Sequence, residues 1–170
     1  MRSIPYNDRT DLQKIQSQWN KIAGLLSRGN DWSAAIVRAA TACEIAANFV
    51  IRKKFAEKST FASAYVDSNL IWANGIKGKF QNLIVPMFKA DDKKAGAAMK
   101  RLGDRALKIN EERNAIVHSG AFSDEAEARA IVESARALIE ELVGASEAGF
   151  KLVDGKPLKA AQTAKADGTQ

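Results

Sequence analysis

The chain carries only three prolines, Pro5, Pro86 and Pro157, so the residue that most strongly interrupts helices is missing from two long internal stretches. Within those stretches apolar residues recur at helical steps. Across 8–28, Leu12, Ile15, Trp19, Ile22 and Leu26 return every three or four positions and Gly29 follows, which predicts an amphipathic helix with a glycine stop. Asp31 is placed to cap a second helix reaching about Glu57, with Trp32, Ile36, Ala39, Cys43, Ala46, Val50 and Phe55 on its apolar side. The alanines at its centre predict close packing against a neighbour.

Ser59 or Thr60 is a start for a third helix through Phe61, Ala64, Tyr65, Ser68 and Trp72, ending near Asn74 and Gly75. The apolar run 82–88 reads as helix or strand, and Pro86 argues against a central strand. Asp91 or Asp92 opens a basic helix with Met99, Leu102, Ala106, Ile109, Ile116 and Val117 on one side, although Gly96 and Gly103 weaken its first half. Gly120 suits the left-handed residue that ends it, which puts His118 in the last turn. Asp124 and Glu127 have capping-box spacing ahead of Ile131, Ala135, Leu138 and Leu142, and Gly144 closes that helix. The expectation is an all-α bundle of about five helices over 1–144 and a flexible polar tail over 145–170, in which Leu158 is the one large apolar residue beyond 155.

Charge is uneven. Residues 50–108 hold thirteen Lys or Arg against five Asp or Glu, whereas 124–143 hold two against six. A basic middle and an acidic last helix give either two electrically distinct faces or two solvated helix surfaces. The formal net charge of +6 favours a polyanionic partner. No apolar run approaches the roughly 18 to 20 residues that span a bilayer, and 1–10 lacks a secretory stretch, so the expected location is the cytoplasm, away from membranes. Cys43 lies among alanines and reads as a small core residue. Trp19, Trp32 and Trp72 occupy apolar helical positions and read as core, with base stacking as the alternative.

One histidine and one cysteine leave no zinc cluster and no Cys/His protease constellation. Residues 75–79, Gly-Ile-Lys-Gly-Lys, lack phosphate-loop spacing. No cofactor or metal is therefore called for. What remains is Arg113-Asn114 followed, after Ala115, Ile116 and Val117, by His118 at the end of a basic helix. The bland account pairs Arg113 with acids of its own helix and leaves His118 as a favourable helix-terminal residue.

Arg113, Asn114 and His118 match the motif of the HEPN superfamily, in which an arginine, usually followed by a polar residue, precedes a histidine with four to six residues between them; here four intervene. The setting matches as well: a long helix carries Glu44 among alanines, the motif closes a later helix, and an alanine-rich helix follows. The chain thus resembles HEPN domains over about 8–143. The resemblance implies a metal-independent ribonuclease that sets two motifs against each other across a homodimer, with RNA as substrate and an antitoxin or regulatory protein as partner. It assigns catalytic roles to Arg113 and His118, and to Asn114 the orientation of the histidine or the phosphate. Glu44 is either a supporting partner for Arg113 or a solvated, helix-pairing glutamate. In members silenced by nucleotidylation a tyrosine follows the histidine by two positions; here that position is Gly120.

The sequence gives its own reason for a dimer. Moving the 2′-hydroxyl of RNA onto the adjacent phosphate calls for a base, an acid and positive charge on the phosphoryl oxygens, and one chain has one histidine. The expected interface takes in 113–120 and apolar faces of the second and last helices. Two other functions compete: a non-catalytic HEPN binding module, and a transcriptional regulator resembling the mannitol repressor family, in which an Arg-Asn pair followed by a histidine also occurs.

Overall fold

Helices account for nearly all of the structure, a computed structural model that describes residues 4–29, 31–73 and 75–154, the Trp72 side chain excepted. A 3₁₀ turn, Tyr6–Asp8, leads to α1 (Asp11–Arg28), α2 (Trp32–Lys58), α3 (Ser63–Trp72), α4 (Gly75–Gly78), a π-helical stretch (Lys79–Ile84), α5 (Val85–Asp91), α6 (Lys93–Ser119) and α7 (Glu125–Gly144). Among the described residues there is no strand, so the expected all-α bundle is what forms. The ambiguous run at 82–88 is helical: Pro86 sits in the first turn of α5, where its missing N–H is not needed.

The helix starts follow side-chain chemistry. Thr10 and Gln13 form a reciprocal capping box, so α1 begins three residues later than its apolar period suggests. Asp31, Asp92 and Asp124 each accept the N–H three residues on. The capping box expected at Asp124 is only half made, since the Glu127 carboxylate accepts from the Ser123 hydroxyl instead. The third helix starts later than expected, with Ala62 rather than Ser59 or Thr60 before its first turn. That shift turns Phe61 and Tyr65 outward and buries Val66 and Leu70.

α2 is the central helix, packed against α1, α6 and α7. By length and composition it is apolar enough to cross a bilayer, contrary to the expectation that no apolar run approaches that length, although Arg38 and Glu44 interrupt it. Its buried residues, mostly alanine with Ile36, Cys43, Val50 and Ile51, are taken up by its neighbours within the chain. Trp19 is buried as expected, while Trp32 is half-buried beneath the Arg129 guanidinium. The expected core role of Trp72 lies outside the described side chains.

α6 has two regimes. Met99, Leu102, Ala106 and Ile109 are buried, but beyond Ile109 the helix outruns the core, leaving Ile116 half-buried and Val117 exposed. Gly96 and Gly103, which weakened the helix on paper, are contact points: a Cβ on Gly96 would lie 2.6 Å from Lys89 Cβ, and one on Gly103 3.1 Å from Phe80 Cδ1. Gly144 ends α7 but not the packed chain. Leu152 is buried, its N–H donates to Glu140, and the Val153 N–H donates to Gln16 of α1. The remainder of the expected tail, 155–170, lies outside the described residues.

Candidate functional site

The motif helix, α6, ends at Gly120 in the left-handed conformation, φ 65°, with its N–H directed to the Ala115 carbonyl. Nothing stands within 4 Å of a Cβ built at Gly120, so backbone conformation and not crowding calls for glycine there. His118 is thereby placed in an exposed last turn. Its neighbours Val117 and Phe122 are apolar and also exposed, Phe122 to 95%.

Arg113 points another way. Residues five apart on a helix differ by about 140° in direction, and Arg113 faces back toward α2, lining a small polar pocket with Thr41, Glu44, Ile76, Ile109 and Asn110. The pocket interior is about 30 Å³, room for a water-sized group. The Arg113 Nη1 donates to Asn114 Oδ1 at 2.9 Å. Asn114 thus holds the arginine, not the histidine. Within one chain the structure brings Arg113 together with Asn114 and Glu44, and leaves His118 outside the pocket.

Glu44 has a different partner from the one expected. Its Oε1 accepts from Lys79 Nζ at 2.7 Å, and the Lys79 side chain is only 5% exposed. Lys79 belongs to the π-helical stretch, whose Phe80 seats against Gly103 of α6. Among the described residues no carboxylate lies within 4.0 Å of the Arg113 guanidinium, and Glu111 and Glu112 of its own helix do not pair with it. The cluster of Glu44, Lys79 and Arg113 therefore carries one uncompensated positive charge.

Cys43 also lines the pocket, but burial pushes its thiol up to about 12, its own backbone hydrogen bond offsetting little of this. It is a wall residue and no nucleophile. On the other side of α6, Arg101, Arg105 and Lys108 border a shallow open depression with Asp104 and with Ser134 of α7. Lys79 is the residue sequence reasoning passed over: its neighbours Ile76, Phe80 and Ile84 step along a buried face, and that spacing was the available signal. No known protein family, curated protein or solved structure matches the chain.

Proposed function

We propose that the chain is a metal-independent endoribonuclease of the HEPN type that works as a homodimer. The observation that carries this reading is the state of Arg113: its guanidinium is held by Asn114, borders a polar pocket, and has no carboxylate partner among the described residues although Glu44 lines the same pocket. A planar cation presented in this way suits the nonbridging oxygens of a phosphate. The cations bordering the depression on α6 add attraction for a polyanion.

A single chain lacks the proton-transfer pair. Two copies of α6 meeting through the exposed Val117 and Phe122 would bring two His118 imidazoles and two Arg113 guanidiniums around one phosphate. The apolar faces of α2 and α7, expected at the interface, are occupied by the chain's own core, and the contact proposed in their place is the end of α6, with its exposed Val117 and Phe122. In the reaction one imidazole takes the 2′-hydroxyl proton and the 2′-oxygen bonds to the adjacent phosphorus. The bond from phosphorus to the 5′-oxygen breaks, and the other imidazole, protonated, gives its proton to that oxygen. The products are a 2′,3′-cyclic phosphate and a 5′-hydroxyl.

The test uses purified protein, excess chelator, and RNA with and without a single 2′-deoxy nucleotide at the cleaved position. Cleavage is expected to persist in chelator and to vanish at the deoxy position. His118→Ala is expected to lower the rate by about 10² to 10⁴, and Arg113→Lys to impair it because lysine keeps the charge but loses the fork. Cleavage abolished by chelator, or retained at the deoxy position, overturns the mechanism.

A further inference from the structure

A lysine whose side chain is 95% withdrawn from solvent has given up hydration that one ordinary surface ion pair does not repay. Lys79 does so to reach Glu44, which is itself half-exposed, at 49%. A half-exposed glutamate gains little from this pairing, having water as an alternative. The pairing has a consequence for a third residue, because Glu44 borders the same small pocket as Arg113.

We infer that Lys79 is a positioning residue for Arg113: it holds the Glu44 carboxylate on the π-helical side of the pocket and so keeps the Arg113 guanidinium open to a phosphate. The inference deepens the ribonuclease reading and rests on it for the identity of the phosphate, but the charge arrangement stands by itself. Glu44 has two cations within its surroundings and pairs with the buried one. Lys79 does not itself line the pocket; among the described residues Arg113 is the one cation that does, and a glutamate released from Lys79, with freedom to turn, would take it. An arginine in a carboxylate pair is a poor phosphate ligand, since binding must first break that pair.

The fold gives Lys79 its reach. The wider turn of a π-helix redirects side chains relative to an α-helix, and such stretches are frequent at functional positions. Lys79 and Phe80 are consecutive and both buried. Phe80 is accommodated by Gly103, where an added Cβ would sit 3.1 to 3.2 Å from its ring and Cβ. The absence of a side chain at Gly103 lets the π-helical stretch close on α6, and that closure directs Lys79 toward α2.

The experiment compares wild type, Lys79→Met, Glu44→Gln and the double variant in the full chain. One readout is the Arg113 Nε–Hε resonance in ¹⁵N-arginine-labelled protein; the others are binding of a 2′-O-methyl RNA and cleavage of unmodified RNA. Lys79→Met is expected to move the Arg113 resonance to a carboxylate-paired position and to weaken binding about tenfold, the scale of one charge-assisted contact. Adding Glu44→Gln is expected to return both, because glutamine offers no charge to Arg113. A merely structural lysine would not be rescued by removing a second group from the same pocket. Lys79→Arg, which keeps the charge, checks that burial of a cation and not of an apolar chain is what matters, and is expected to hold the wild-type resonance. An unchanged Arg113 resonance in folded Lys79→Met, or a double variant no better than the single one, overturns the inference. If the resonance moves and returns while wild type cuts no RNA, the positioning role stands and the ribonuclease reading fails.

Discussion

Gly96→Ala isolates the contact that holds α5 against α6. The added Cβ would lie 2.6 Å from Lys89 Cβ, 2.8 Å from Lys89 Cα and 3.2 Å from Lys89 Cγ, where carbon atoms ordinarily sit about 3.5 to 4.0 Å apart. Because one of those atoms is backbone, the strain cannot be relieved by turning the lysine side chain; α5 must withdraw from α6 by roughly 1 Å. Overpacking of this kind costs about 1 to 3 kcal/mol. Replacing an interior helical glycine with alanine returns about 1 kcal/mol of helix propensity. With a backbone atom in the clash the cost lies at the upper end, so the net loss is about 1 to 2 kcal/mol, or roughly 2 to 8 °C in Tm for a chain of this size. Gly144→Ala is the control. It is helical, nothing stands within 4 Å of its Cβ position, and the same exchange there is expected to be neutral or to stabilise by up to about 1 kcal/mol. Urea and thermal unfolding followed by far-UV circular dichroism read both. If Gly96→Ala is as stable as the parent, the close approach of α5 and α6 is wrong.

Two further predictions concern the segment after α7. A chain ending at Gly144 loses the buried Leu152 and half-buried Phe150 and is expected to unfold about 2 to 4 kcal/mol more easily, whereas one ending at Asp154 is expected to melt with the full chain; equal melting of all three would show that 145–154 contributes nothing. Glu140 anchors the same segment: its partial burial pushes the carboxyl up, but hydrogen bonds from Lys151 and the Leu152 N–H, with the nearby charges of Lys151 and Arg136, outweigh this and hold it below its ordinary value of 4.5. A carboxyl held low in the folded state stabilises above its unfolded pKa and loses that contribution as pH falls through the folded value. The Tm gap between wild type and Glu140→Gln is therefore expected to be largest at neutral pH and to close as the pH falls through the lowered folded-state pKa of Glu140; a gap that widens in acid would reverse the assignment.

Periodicity made the long helices legible because each buries one stripe and its caps are local. Ile15, Trp19 and Ile22 of α1 and Ala135, Leu138 and Leu142 of α7 are buried at the positions their spacing predicts, and Asp31, Asp92 and Asp124 cap where their sequence context places them. Period fails where burial depends on a distant neighbour. Ile116 and Val117 continue the apolar stripe of α6, yet among the described residues they are left half-buried and exposed. Leu152 has no periodic context at all, and its burial follows from Glu140 and Gln16, the latter 137 positions away from the Val153 N–H it accepts.

The charge state of the site has the same long-range origin. From the local sequence, Arg113 stands next to Glu111 and Glu112 and reads as neutralised, while Glu44 reads as its more remote supporter. Among the described residues the first two make no ion pair with it, and Lys79, 35 positions from Glu44, holds the third. Neither step involves a residue of the motif itself. An arginine and a histidine at the right spacing can therefore be read from one helix, but whether the arginine is available to an anion is decided by a buried lysine on a different element. The availability of that lysine in turn depends on Gly103, on the opposite side of the π-helical stretch, having no side chain to keep Phe80 away. A chain with the same motif but a larger residue at that position would keep Arg113 and His118 in sequence while losing the arrangement that leaves Arg113 uncompensated.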